Sequence, residues 1–115
     1  MSAFEAYLNK GYTPANKSVG INGSDTVAVW TPTTSTRIVV TDVSLACNSA
    51  GTIAFYWGNL AGSVIAQFAR TGSTQINPVI GAWESTMYDR VLFAKAGGAV
   101  GTDGIVVNLT GFEIP

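Results

Sequence analysis

A chain of 115 residues is one domain's length, and long enough to bury a core without disulfide or metal support. Charged residues make up 11% of it, against ~25% in ordinary soluble domains, while the apolar share is 47%. That balance excludes a disordered polyelectrolyte, and a net charge of −1 excludes the basic footprint of a nucleic-acid or anionic-membrane binder.

Residues 1–25 read as an N-terminal arm and residues 26–115 as the β domain. Ser2 and Glu5 stand at capping-box spacing, which predicts a short helix over Ala3–Asn9 closed by Gly11. Phe4, Tyr7 and Leu8 share one face of that helix. So short a helix has no stability alone in water and must dock. Residues 11–25, rich in Gly, Asn, Ser and Thr, read as an extended segment or loop. The N-terminus lacks the basic and apolar regions of a signal peptide, and no stretch is long and apolar enough to span a bilayer.

From Thr26 the chain reads as strands. Thr26–Thr31 is stopped by Pro32. Residues 36–47 are long and β-branched, and the turn 48–51 leads into 52–57, which predicts a hairpin. A turn at 58–62 precedes the apolar run 63–69. Residues 73–80 form a further candidate, with Pro78 marking an edge or a bulge. Residues 90–96 and 104–112 form the last pair, joined by a glycine-rich loop. Short strands at this spacing, without strand–helix alternation, predict an all-β fold: a small antiparallel β-sandwich, jelly-roll-like, with a short N-terminal arm.

Counting by twos along the strands puts Val39, Val43, Leu45 and Cys47 on one face with Thr41, and Ile38 and Val40 on the other. Residues 90–96 are apolar on both faces. A sandwich wets its outer faces, so these half-apolar faces need a cover. The arm or a loop supplies one solution. Another subunit supplies the second, with Ile38, Val40 and Leu92 at the interface.

Little supports catalysis. The chain has no histidine, so the commonest general base and metal ligand is missing. Its single cysteine, Cys47, sits at the end of an apolar strand face and reads as a small core hydrophobe. Glu84 and Asp89 form a conceivable glycosidase pair, but surface acids beside Arg90 are the commoner arrangement. No Gly-x-Ser-x-Gly elbow is present, and the loop at 97–104 lacks the Lys-Ser/Thr of a phosphate cradle. No enzyme, cofactor or metal is expected. Trp57, Trp83 and Tyr88 stand near strand ends or loops, where a sugar ring would stack, although tryptophan more often belongs to the core.

The stretch Arg37–Gly58, within a compact His-free chain carrying a short arm, resembles the small β-sandwich structural proteins of tailed phages. It is most similar to capsid decoration (cement) proteins. The resemblance spans roughly residues 26–112 and rests on texture and architecture, so no family residue is carried over by motif. It implies a homotrimer in the virion, on the capsid surface, assembled in the host cytoplasm. The implied partner is the major capsid protein, with no nucleic acid or membrane. Phe4, Tyr7, Leu8 and Tyr12 of the arm are then the anchors for a partner groove. The alternative is a carbohydrate- or receptor-binding module of a tail fibre or baseplate.

Overall fold

The computed structural model describes residues 2–23, 26–58, 64–72, 74–98 and 104–115. The expected helix is there, α1 (Ala3–Asn9), and both halves of its capping box are made. The Glu5 N–H donates to the Ser2 hydroxyl at 3.1 Å, and the Ser2 N–H donates to the Glu5 carboxylate at 3.4 Å. Gly11, at φ 91°, closes the helix by donating its N–H to the Leu8 carbonyl at 3.0 Å.

The strands among the described residues are β1 (Pro14–Ile21), β2 (Val27–Trp30), β3 (Arg37–Cys47), β4 (Gly51–Trp57), β5 (Val64–Arg70), β6 (Thr74–Ile76), β7 (Trp83–Glu84), β8 (Leu92–Gly97) and β9 (Ile105–Ile114). They form two antiparallel sheets packed as a sandwich, as expected. Sheet A runs β1-β9-β3-β6, with β7 also on β3; sheet B runs β2-β8-β4-β5. Residues 14–21, read above as an extended segment or loop, are the edge strand β1, paired with β9 along its whole length. Its alternate residues Ala15 and Val19 pack against the core, which supplies the reason for the strand.

Two expected pairings are corrected. Strands β3 and β4 do not form a hairpin, because β3 belongs to sheet A and β4 to sheet B. Their apolar faces look at each other across the core, so the turn between them is an arch from sheet to sheet. The Arg70 side chain, 2% exposed, holds that arch: it donates to the carbonyls of Ser49 at 2.9 Å, Thr52 at 2.8 Å and Gly97 at 2.6 Å. Strands β8 and β9 likewise lie in different sheets, and residues 99–103 of the loop between them fall outside the described residues. The local hairpin is β4–β5, and most of its turn, 59–63, also lies outside them.

One residue decides which side chains line the core. On β3, Val40 pairs with Gly111 and Asp42 with Thr110, so Thr41 is an extra residue and forms a β-bulge. Before it, Ile38 and Val40 point inward; after it, Val43, Leu45 and Cys47 do. Period-two counting across the bulge puts these two sets on opposite faces, and the interface assigned to Ile38, Val40 and Leu92 is therefore corrected. All three are 0% exposed and sit in the core with Trp30, Phe55 and Leu109.

The bulge also turns Val39 outward, beside Phe112 and Ile114 of β9. Helix α1 covers this outer apolar patch. Phe4 and Tyr7 meet the Phe112 ring at centroid distances of 5.4 and 5.5 Å, contacts worth about 0.5–1.5 kcal/mol each. The arm is thus one cover for the half-apolar faces. At the sheet's other edge, the strand expected over residues 73–80 is cut short. Strand β6 pairs with Leu45–Cys47 and β7 with Val39–Val40, while residues 77–82 leave the ladder between them. Pro78 has no N–H to give a ladder.

Gly111 permits the bulge, since a Cβ there would overlap the Val39 carbonyl. Gly111→Ala is expected to destabilise the fold by about 1–3 kcal/mol in denaturant titration. Gly20→Ala, in open space on β1, should change it by no more than ~0.5 kcal/mol. Equal effects would contradict this role for Gly111.

Candidate functional site

The outer side of sheet A gathers most of what is available for binding. Its lower half carries α1, of which no residue is fully buried. The helix is fastened at Tyr7, whose hydroxyl donates to the Glu84 carboxylate on β7. Burial and that carboxylate push the Tyr7 phenol up to about 12. Arg37 donates to the Ser85 carbonyl at 3.3 Å, and the Ser85 hydroxyl donates to the Met87 carbonyl at 2.8 Å. These bonds tie the last turn of the helix to β7, and the residues that follow β7 to β3. Of the side chains on these two segments, Leu8 of the helix is 43% exposed, and Met87 and Tyr88, which follow β7, are 51% and 54% exposed.

The upper half of the same face is polar. Outward residues of three neighbouring strands lie in register: Asn16 and Ser18, Asn108 and Thr110, Asp42 and Ser44. Thr110 donates to Asn16 at 2.8 Å, and Gln75 of β6 donates to Ser44 at 3.0 Å. Where residues 77–82 depart from β3, a cavity of about 500 Å³ opens above this floor. Its walls are the first turn of α1, residues 2–4, and the segment 77–81. Val79 on that segment is 100% exposed.

A third polar cluster closes the end of the sandwich. The Glu113 carboxylate accepts from the indole N–H of Trp30 at 2.9 Å, the Thr33 N–H at 2.8 Å and the Thr36 hydroxyl at 3.3 Å. Burial alone would raise its pKa, but these donors outweigh it and hold the carboxyl at about 2. Beside it, Ser35 and Asp89 both sit at positive φ, 67° and 61°, and the Ser35 N–H donates to Asp89 at 2.6 Å. This arrangement is a structural latch.

The residues singled out from the sequence are dispersed by the fold. Of the arm residues, Phe4, Tyr7 and Tyr12 are seated on their own sheet, because the outward Val39–Phe112–Ile114 patch receives them; Leu8 faces away. Trp83, placed above at a rim, is a core residue at 8% exposure, its ring 5.0 Å from Phe55 and 6.1 Å from Phe68. Trp57 packs against the same core, while Tyr88 is exposed, so the three make no exposed stacking platform. Glu84 is engaged by Tyr7 and Asp89 by Ser35, each in a separate bond. Cys47 is buried, and burial pushes its thiol up while Arg70 opposes the shift. Among the described residues no group of His, Cys, Asp and Glu is placed to hold a metal ion, and no helix is long and apolar enough to cross a membrane. Sequence reading missed Asp42, Val79 and Met87 as available groups. The Asn77-Pro78 pair, which interrupts a strand pattern, was the signal for the cavity.

No family model and no curated protein matches the chain. Among solved structures, it is similar to a chain of the disulfide-linked pili that form Bacillus endospore appendages. The identity is 14%, the TM-score 0.53, and the match covers 90% of this chain and 91% of that one. A chain of the cyanophage Pam1 capsid asymmetric unit matches at 16% identity and a TM-score of 0.46, over 90% of this chain and 85% of that one. An arabinose-bound α-L-arabinofuranosidase matches at 18% identity and a TM-score of 0.37, over 85% of this chain but 19% of the enzyme. The likeness to the appendage chain is one of fold: both are β-sandwiches.

The depressed Glu113 pKa has a sign. Its stabilisation is complete above the ordinary carboxylate value of 4.5 and is lost as pH falls toward about 2. The stability advantage of wild type over Glu113→Gln, followed by thermal unfolding, should therefore hold above that value and shrink below it. An advantage independent of pH would contradict the latch.

Proposed function

We propose that the chain is a non-enzymatic phage virion protein that decorates the capsid, stabilising the head by binding across neighbouring major capsid subunits as a homotrimer. The observation that supports this reading most is the apolar surface of Leu8, Met87 and Tyr88. Leu8 is on the helix that Tyr7 fastens to Glu84, and Met87 and Tyr88 follow Ser85, the residue after Glu84. Large apolar side chains left exposed on the helix and on the segment after β7, in a chain with little charge, fit contacts for a protein partner. The low total charge fits a protein held in an assembly, where solubility depends less on surface charge. The mechanism is mass action: a ligand that binds only the assembled lattice stabilises that lattice.

This reading shifts the arm's part. Phe4, Tyr7 and Tyr12 position the helix, and Leu8 makes the contact. A sugar-binding module built on Trp57, Trp83 and Tyr88 is not favoured, because Trp83 serves the core.

Co-sedimentation with heads assembled from the major capsid protein of the same virus tests the proposal. The full chain should bind and raise the temperature at which heads open. The double variant Leu8→Asp, Tyr88→Ser should lose on the order of tenfold or more in affinity while keeping its own thermal transition. No binding by the full chain, or equal binding by the variant, would overturn it.

A further inference from the structure

The cavity above the upper half of sheet A does not belong to that contact surface. It opens at the first turn of α1, whereas Leu8 lies in the last. At about 500 Å³ it is within the size range of small-molecule sites. We infer that it is a binding site for a neutral saccharide.

The chemistry of the lining selects that class. The floor presents Asp42, Ser44, Asn108 and Thr110, all on outward positions of β3 and β9. One Asp42 oxygen accepts from the Thr41 hydroxyl at 2.9 Å, which orients the carboxylate. Its second oxygen is available to accept from ligand hydroxyls. Ser44 already accepts from Gln75, so its own O–H is available to donate. The Asn108 amide offers a donor and an acceptor side by side. A carboxylate, an amide and a hydroxyl spread over a flat sheet match the alternating donors and acceptors of vicinal sugar hydroxyls.

The walls supply the other half of the match. Phe4, packed on Phe112 at a centroid distance of 5.4 Å, lines the cavity and is the aromatic group there for the C–H face of a sugar ring. The segment 77–81, with Pro78 in it, bounds the far side. Other ligand classes fit less well. Among the described residues no Lys or Arg lines the cavity, so a phosphate or carboxylate ligand would meet Asp42 uncompensated. Among those residues Asp42 is also the single acid of the lining, too few for a cation site.

Saturation-transfer NMR on the full chain, with free glucose, galactose, mannose, rhamnose, N-acetylglucosamine and their common disaccharides as probes, tests the inference. At least one should receive transfer from the protein. Asp42→Asn should weaken that sugar's binding on the order of tenfold. Asn108→Trp, which fills the cavity from an exposed position, should abolish it. Leu8→Asp, Tyr88→Ser should bind as wild type does, so failure here is distinguishable from failure to bind heads. Both cavity variants change groups on the solvent side of the sheet, and an unchanged thermal transition checks their folding. No transfer to any probe, or transfer undiminished in both cavity variants, would overturn the proposal.

Discussion

The extra residue at Thr41 is the constraint on which the rest of the molecule depends. A strand as long as β3 that kept strict alternation would leave half of its apolar residues on the wrong face. The bulge reverses the alternation at mid-strand, so Ile38, Val40, Val43, Leu45 and Cys47 all reach the core. Its partner strand β9 keeps its own alternation and meets the bulge with Gly111, the residue that leaves room for the Val39 carbonyl. Thr41 itself is 6% exposed, and its hydroxyl shares its proton between the Asp42 carboxylate at 2.9 Å and the Thr110 carbonyl at 3.2 Å. A bend of this kind therefore leaves no polar group stranded.

The bulge divides the outer face of sheet A into two regions with different work. Below it Val39 joins Phe112 and Ile114 in a patch that a seven-residue helix is able to cover. Above it Asp42 and Ser44 join Asn108 and Thr110 in a polar floor. The broken edge strand respects the same line, with β7 paired beside Val39 and Val40, β6 beside Leu45 to Cys47, and residues 77–82 lifted away between them. One sheet thus carries a helical seat and a cavity side by side, while its inner face is given to packing.

Much of this architecture was legible because it is local. The capping box of Ser2 and Glu5, the Gly11 stop and the β-branched runs each announce themselves within a few residues, and together they give the helix and the sandwich. The errors arose where a distant partner decides. Turn chemistry at 48–51 is compatible with a hairpin or with an arch, and Arg70, far along the chain, makes it an arch. The bulge at Thr41 has no mark of its own in β3; its signature is Gly111 in the opposing strand, visible only once the register is known. Trp83 looked like a loop residue because β7 is two residues long, and its burial comes from Phe55 and Phe68 in the other sheet. Of the four arm residues, Leu8 is exposed while Phe4, Tyr7 and Tyr12 pack on the outward patch.

Hydrogen exchange of the Phe112→Ala variant against wild type tests most directly whether the outward patch beside the bulge holds the helix. Protection should be lost at the α1 amides that are bonded within the helix, such as Ala6 and Lys10, with β3 and β9 amides above the bulge still protected. Unchanged protection of the helix, or loss spread evenly across sheet A, would contradict that dependence.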